Sequence, residues 1–150
     1  MTTLGKEDDL ARIFWDTNLF IYLSEDHPVL ADRLVDLRQR MVERGDQLFT
    51  SALTVGELLA GPVSRSDTEL VDRYQAFFSG SDLTVVPFDL KAAPCYASVR
   101  RDRGIQRPDA IQLACAAAAR VDLFITNDSR LSRKVIPGIH FISGLERAPL

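Results

Sequence analysis

Cysteine and histidine are scarce in this sequence. The chain of 150 residues contains two cysteines, Cys95 and Cys115, and two histidines, His27 and His140. Both cysteines fall in predicted helices, so we expect them in or near the core, because a disulfide framework or a zinc site needs more ligands. The histidines lie far apart in unrelated surroundings, so a histidine-based metal site is not expected.

Long apolar runs are also missing. No stretch approaches the roughly 20 apolar residues of a membrane-spanning helix, and residues 1–10 lack the apolar centre of a signal peptide. We therefore expect a cytoplasmic protein with no membrane partner. A hydrophobic fraction of 46% and a charged fraction of 26% are ordinary for a globular chain. The length suits one domain over 1–150, with residues 1–9 as a flexible tail.

Excess positive charge is absent, since the net charge is −3. Affinity for nucleic acid comes mainly from lysine and arginine that neutralise phosphates, so this value argues against such a partner. The positions of the basic residues weaken this argument, because four arginines lie just before Asp109: Arg100, Arg101, Arg103 and Arg107. Their guanidinium groups suit phosphate, although a solvated helix end explains them equally well.

Strand-like and helix-like segments alternate along the chain. Apolar and β-branched runs predict strands at 10–15, 47–50, 83–88, 123–126 and 140–142. Helical spacing and capping residues predict helices after Asp16, over 28–45, from Ser51 to Gly61-Pro62, and over 66–80, 90–102 and 108–120. No two-residue hairpin turn joins the apolar runs. The pattern therefore predicts the α/β class, a three-layer α/β/α sandwich with a mostly parallel central sheet.

Four acidic side chains mark the ends of these predicted elements. Asp16 ends the first strand, Asp128 follows the fourth, and Glu57 and Asp109 lie in the first turns of two helices. Ligands of open α/β sheets gather at the carboxyl ends of the strands, so the four carboxylates could meet at one edge. Simpler interpretations exist as well. Asp16 and a Thr54–Glu57 capping box could cap helices, Asp109 could complement a helix dipole, and Asp128 could be a turn residue.

A cluster of four carboxylates needs a cation. Two charges about 4 Å apart repel by roughly 1 kcal/mol in water, and by more where the dielectric constant falls. No lysine or histidine accompanies these acids in the sequence, and Mg²⁺ prefers hard oxygen ligands. A metal held there would activate water and bridge to a phosphate oxygen, which favours a phosphodiester hydrolase.

Four stretches resemble, in order, the successive motifs of PIN domains. They are residues 15–18 (WDTN), 51–61 (SALTVGELLAG), 107–114 (RPDAIQLA) and 124–131 (FITNDSRL). Each motif alone is weakly specific, but the ordered set carries the four acids and spans nearly the whole chain. The resemblance is greatest to VapC-type toxins of bacterial toxin–antitoxin pairs, which are ribonucleases inhibited by a cognate antitoxin.

This resemblance implies a function, a site and partners. It implies an endoribonuclease dependent on Mg²⁺ or Mn²⁺ that hydrolyses RNA phosphodiesters, with a cognate antitoxin and a homodimeric assembly. The implied catalytic and metal-binding residues are Asp16, Glu57, Asp109 and Asp128. The implied supporting polar residues are Thr17, Asn18, Thr126 and Asn127, with either Asn127 or Asp128 facing the metal. The arginines at 100, 101, 103 and 107 would position the RNA.

Two apolar helix faces are candidate surfaces for the implied partners. They lie within residues 30–41 and 70–78, where apolar side chains recur at helical spacing. Ordinary core packing is the alternative explanation for both.

Three other functions remain open at this point. The first is a PIN-fold protein that processes or binds RNA without being a toxin. A halo-acid-type phosphatase needs a second aspartate two residues after the first, and position 18 is asparagine. A receiver-like phosphoacceptor domain needs an aspartate ending a middle strand and a lysine after a late strand. Here the middle strand ends in Val86-Pro87-Phe88, and Lys134 follows a polar turn.

Overall fold

The strands and helices alternate along the chain, as the sequence predicts. The computed structural model describes residues 11–150, so the predicted tail at 1–9 lies outside the described residues. The strands are β1 (Arg12–Trp15), β2 (Gln47–Ser51), β3 (Leu83–Val86), β4 (Leu123–Thr126) and β5 (Phe141–Gly144). The helices are α1 (Thr17–Ser24), α2 (Leu30–Arg44), α3 (Ala52–Ser64), α4 (Thr68–Ser79), α5 (Ala92–Val99) and α6 (Arg107–Ala118), and a 3-10 turn follows at Leu145–Arg147.

The five strands form one parallel sheet in the order β3-β2-β1-β4-β5. The order reverses between β1 and β4, so the connections leaving these two strands diverge and open a crevice at their carboxyl ends. The topology confirms the predicted α/β sandwich. It also contradicts the receiver-like alternative, because receiver domains use the strand order 2-1-3-4-5.

Each face of the sheet carries its own hydrophobic core. Side chains alternate along a strand, so in β1 Phe14 points to one face while Ile13 and Trp15 point to the other. Helices α5 and α6 cover the first face, where Phe14 stacks on Phe124 with ring centroids 5.0 Å apart. Helices α1 to α4 cover the second face. The sheet is therefore buried on both sides, and the carboxyl ends of the strands remain as an accessible edge.

The predicted end of α3 at Gly61-Pro62 is wrong. The helix continues to Ser64, with Pro62 inside it and buried. A proline ring fixes φ at a helical value, so the helix can continue where packing holds the proline in place. Beyond the proline, the backbone amide of Arg65 donates to the carbonyl of Gly61 at 3.1 Å, the spacing of an α-helical hydrogen bond.

The two candidate docking faces, on α2 and α4, differ in how far they are buried. On α2, Leu34, Leu37 and Met41 are buried in the second core, so core packing explains that face. On α4, Phe78 is buried but Phe77 is 49% exposed. The α4 face lines an open apolar groove of about 490 Å³ shared with α1 and α3.

The cysteines lie where the sequence predicts. Cys115 is fully buried in the first core, and the half-buried Cys95 packs against that core. Burial raises the pKa of the Cys115 thiol to about 11. Within residues 11–150, no helix has the length and apolar character needed to cross a bilayer.

Candidate active site

Asp16 is the most firmly held of the four acids. It follows β1 and caps α1, and it is only 6% exposed. Its Oδ1 accepts hydrogen bonds from the backbone amide of Thr17 at 2.8 Å and from Gln112 Nε2 at 3.2 Å, and its Oδ2 accepts from Thr126 Oγ1 at 2.8 Å. Burial is the largest effect and raises the pKa of Asp16. The hydrogen bonds lower this pKa by less, and the nearby charge of Asp128 raises it. Asp16 is therefore both a helix cap and a buried carboxylate fixed at the sheet edge.

Gln112 links the end of β2 to the carboxylate of Asp16. It projects from α6, is 2% exposed, and accepts a hydrogen bond from Ser51 Oγ. Its Nε2 also lies 2.9 Å from Thr17 Oγ1 and 2.8 Å from Thr54 Oγ1, so its two protons are shared among these oxygens and Asp16 Oδ1. The sequence analysis missed this residue. The available signal was a lone amide within the apolar run of α6, since a buried amide needs hydrogen-bond partners.

Glu57 joins the same network through a hydroxyl. Thr17 Oγ1 donates to Glu57 Oε1 at 2.8 Å. A hydroxyl has one proton, so Thr54 Oγ1 must be the donor in its 3.0 Å contact with Thr17 Oγ1. The capping-box interpretation of Glu57 is wrong, because Ser51 caps α3 by accepting from the amide of Thr54. The carboxylate of Glu57 instead belongs to the edge that holds Asp16.

Asp109 lies in the first turn of α6 among the other three acids. Burial is the largest cause of its raised pKa, and the charges of Asp16, Asp128 and Glu57 raise the pKa further. The positive charge of Arg130 lowers it. No donor among residues 11–150 makes a hydrogen bond to the Asp109 carboxylate. The charges of Asp16, Glu57 and Asp128 thus reach Asp109 at the edge where the strands end.

Asp128 carries the one direct cationic partner seen for these acids within the described chain. Its Oδ2 lies 2.8 Å from Arg130 Nη2, and its Oδ1 accepts from Arg130 Nε at 3.1 Å. This pairing lowers the pKa of Asp128. The sequence analysis did not single out Arg130, although its place two residues after Asp128 allows a local ion pair. The guanidinium group is 66% exposed, so it can leave without disturbing the core.

The other predicted supporting residues divide into two groups. Thr17 and Thr126 are buried and bind the acids directly. Asn18 is exposed and makes no contact that the structure records, and Asn127 donates to the hydroxyl of Tyr22 at 3.1 Å. Asp128, and not Asn127, therefore faces the acidic edge.

The four predicted RNA-positioning arginines are not equivalent. Arg100 is half-buried and donates to the carbonyl of Ile105 at 2.8 Å, so its guanidinium group is engaged in holding a loop. Arg101 and Arg103 are exposed on that loop. Arg107 is exposed at the start of α6, two residues before Asp109. Of the four, Arg107 lies nearest in sequence to the acids.

The donor chemistry of this edge fits a hard divalent cation. Asp109 offers a half-buried carboxylate that accepts no hydrogen bond from residues 11–150, and its pKa is raised by burial and then by the surrounding negative charge. As the side chains stand, no three or more His, Cys, Asp or Glu residues within that range are grouped so that they could hold a metal ion. Mg²⁺ is usually held by one or two carboxylates and keeps several waters, so fewer protein ligands suffice. The residues fit the ion, whereas simultaneous ligation by all four remains a prediction.

Comparisons with known proteins agree with this fold. The PIN domain family model matches residues 13–136. No curated protein sequence matches the chain. Among solved structures, VapBC2 from Rickettsia felis bound to a DNA fragment from its promoter is 20% identical, with 88% of this chain and 97% of that chain covered and a TM-score of 0.69.

Two further solved structures share the fold. A toxin–antitoxin complex from Klebsiella pneumoniae is 20% identical, with 85% of this chain and 94% of that chain covered and a TM-score of 0.61. VapBC-5 from Mycobacterium tuberculosis, a member of the VapBC family of toxin–antitoxin systems, is 23% identical, with 89% and 98% covered and a TM-score of 0.55. Since the family model spans most of the chain, this protein belongs to the PIN domain family.

Proposed function

We propose that this protein is a metal-dependent endoribonuclease that acts as the toxin of a toxin–antitoxin pair. The observation that carries the proposal is the position of Asp109. Its carboxyl group lies on the strand-end edge of a PIN fold, where burial and then the charges of three other carboxylates raise its pKa, and it accepts no hydrogen bond from the described residues. Such a group is suited to a divalent cation and a phosphodiester substrate.

Each acid has a distinct role in the proposed site. Asp16 is held rigid by Thr17, Gln112 and Thr126, so it would fix the position of Mg²⁺ or Mn²⁺. Glu57 is oriented by the hydroxyl of Thr17. The carboxylates of Asp109 and Asp128 would complete the set of oxygen donors.

The cation would supply positive charge that neutralises the carboxylates, activates water and polarises the phosphodiester. Asp128 can join the site when its exposed partner Arg130 turns away. That guanidinium group would then be free to contact the RNA phosphate.

The proposed partner is a cognate antitoxin. Support comes from the neighbouring structures, two of which are VapBC complexes and one a toxin–antitoxin complex. The apolar groove between α1, α3 and α4 offers a surface for an apolar helix, with Phe20, Leu70 and Phe77 on its walls. We also propose a homodimer, and sizing of the purified chain in solution tests this directly. An RNA substrate and a protein antitoxin would place the activity in the cytoplasm.

Cleavage of structured RNA by the purified chain tests the proposed activity. We expect cleavage with Mg²⁺ or Mn²⁺, none in EDTA, and a loss of at least about 100-fold in Asp109→Asn, since general acid–base and metal contributions are typically of this size. Asp72→Asn is the matched control, because Asp72 is exposed on α4 and has no recorded ion pair. Cleavage that persists in EDTA or in Asp109→Asn contradicts the proposal.

A PIN fold that only binds RNA is the second candidate function. The exposed Arg107 beside the acids favours RNA contact without requiring cleavage. Sequencing the 5′ ends of cellular RNA after induced expression separates the two candidates. New ends that depend on Asp109 indicate a nuclease and name its target.

A further inference from the structure

A polar cleft of about 470 Å³ opens beside the acidic edge. One wall is the segment that follows β4, and the other is formed by the end of β5 and the 3-10 turn after it. Thr126 and Asp128 line the cleft, and Thr126 also binds Asp16, so the cleft adjoins the acidic edge. Neither the apolar groove on α4 nor a larger cavity at the opposite edge of the sheet includes any of the four acids.

The cleft carries two arginines that have no other engagement. Arg133 lies on one wall and Arg147 on the other, and both are exposed. Neither makes an ion pair or a hydrogen bond with another residue of the described chain. Two acids also line the cleft. Asp128 is paired with Arg130, and Glu146 makes no ion pair with a residue of the described chain. The cleft therefore offers two free guanidinium groups beside an edge dominated by carboxylates.

The remaining lining combines small polar side chains with the apolar Ile142 and Leu145 and the backbone of Gly144. Ser129, Ser132 and Ser143 contribute hydroxyls or backbone groups, and Asn127 contributes an amide. Hydroxyls and amides suit the ribose 2′-hydroxyl and base edges, which offer donors and acceptors together. Guanidinium groups suit phosphate, since they present several donors in a planar fork. This combination matches one ribonucleotide with its flanking phosphates.

We propose that this cleft is a subsite for the nucleotide next to the scissile phosphate, with Arg133 and Arg147 binding its phosphates. The inference rests on the proposed function, because it assumes that the scissile phosphate lies at the four acids. The cleft adjoins Asp128 directly, so an RNA strand leaving the acids can enter it without crossing another element. Arg133 and Arg147, absent from the sequence-based list of RNA-positioning arginines, would supply the positive charge that a net charge of −3 hides.

Binding of a fluorescein-labelled single-stranded oligoribonucleotide tests the subsite. Fluorescence anisotropy is measured in EDTA, so that cleavage does not enter, at several salt concentrations. We expect Arg133→Gln/Arg147→Gln to bind about tenfold more weakly at low salt, because two phosphate contacts are lost. The slope of log affinity against log salt should become shallower by about 1.4, at about 0.7 per phosphate contact on a single strand. Mere loss of fold would not produce this defined change in slope.

Matched variants make the test specific. Arg120→Gln removes one arginine charge at the opposite edge of the sheet, between α6 and β4, and should leave both affinity and slope unchanged, whereas each of Arg133→Gln and Arg147→Gln alone should make the slope shallower by about 0.7. Arg133→Lys/Arg147→Lys keeps the charges and should restore most of the slope. Arg101→Gln/Arg103→Gln tests the earlier group of arginines. The subsite is overturned if the wild-type chain does not bind the oligonucleotide, if the Gln double variant binds like wild type, or if only the 101/103 variant weakens binding.

This outcome is separable from that of the proposed function. A chain that cleaves RNA with Mg²⁺ but whose Gln double variant binds normally has the activity without this subsite. A chain that does not cleave RNA, yet binds it through Arg133 and Arg147, has the subsite without the activity.

Discussion

At the scale of single residues, one buried amide organises two of the four acids. Gln112 is bound to Asp16 and Thr17 and, through Thr54 and Thr17, reaches the carboxylate of Glu57. Buried polar groups are costly unless they are hydrogen-bonded, so each member of this network depends on the others. The carboxylates of Asp16 and Glu57 are therefore held in place by the protein itself.

Replacing Gln112 tests this arrangement. We expect Gln112→Ala to lower the free energy of unfolding by about 3 kcal/mol, because it leaves a cavity and unpaired buried hydroxyls. Gln112→Met keeps most of the volume and loses only the hydrogen bonds, so it should destabilise less. Both variants should lower kcat for RNA cleavage about tenfold or more with little change in KM, since Asp16 loses a donor. Urea unfolding and cleavage kinetics well below the unfolding temperature measure these effects.

The matched control is Gln75→Ala, at an exposed position of α4 with no recorded hydrogen bond. It should change neither stability nor cleavage. If Gln112→Met unfolds earlier than wild type but cleaves RNA at the wild-type rate, the network supports the fold and does not position the site.

At the scale of elements, Gly138 and Gly56 differ in whether the local backbone conformation and packing require glycine. Gly138, in the turn before β5, has φ of +94°, and a Cβ there would lie 3.1 Å from the carbonyl oxygen of Ala117 at the end of α6. Gly56 lies inside α3, and a Cβ there would meet nothing within 4 Å. The turn at Gly138 requires glycine to dock against α6, whereas α3 does not require it at position 56.

Alanine at these two positions should therefore have opposite effects. Gly138→Ala should destabilise the protein by about 1–3 kcal/mol, because the left-handed backbone is strained with a side chain and the Cβ meets backbone. Gly56→Ala should stabilise it by up to about 1 kcal/mol, the usual helical advantage of alanine over glycine. Urea midpoints of the two variants compare them directly. Equal effects of the same sign would contradict this account of the two glycines.

At the scale of the whole molecule, the parallel sheet concentrates negative charge. All five strands run in one direction, so Asp16 and Asp128 emerge at the same edge, on either side of the point where the strand order reverses. Like charges at close range oppose folding, and a bound cation removes that opposition. We therefore expect the proposed divalent cation to raise the stability of the chain when it binds at this edge.

Thermal unfolding measures this dependence. At a Mn²⁺ concentration about 100 times the dissociation constant, a ligand of the folded state adds about 2.7 kcal/mol, which corresponds to a rise in Tm of about 5–10 °C at this chain length. Asp109→Asn should lose most of this rise, and in EDTA it should be at least as stable as wild type because one repulsive charge is gone. Asp72→Asn should keep the full rise. An equal rise in Asp109→Asn and wild type would place the ion elsewhere.

Much of the fold was predictable because local patterns agree with the tertiary structure. The strand at 123–126 matches β4 at both ends, since a short apolar run between turn residues has one simple interpretation. The end of α3 was not predictable, because Pro62 usually stops a helix and only packing keeps it inside one. Likewise, the apolar pattern of α4 does not reveal that Phe77 is half exposed beside a groove.

The sequence by itself determined the class of fold, and its motifs indicated the family and singled out the four acids as a candidate site. These follow from residue type and spacing, which local backbone preferences translate into strands, helices and caps. Only the tertiary structure decided that Gln112 joins Asp16 to Glu57, that Arg130 pairs with Asp128, and that Arg133 and Arg147 face a common cleft. Those contacts join segments separated along the chain or depend on how a side chain is turned, so spacing in the sequence carries no record of them. Packing of the two cores against the sheet is what brings such segments within hydrogen-bond distance.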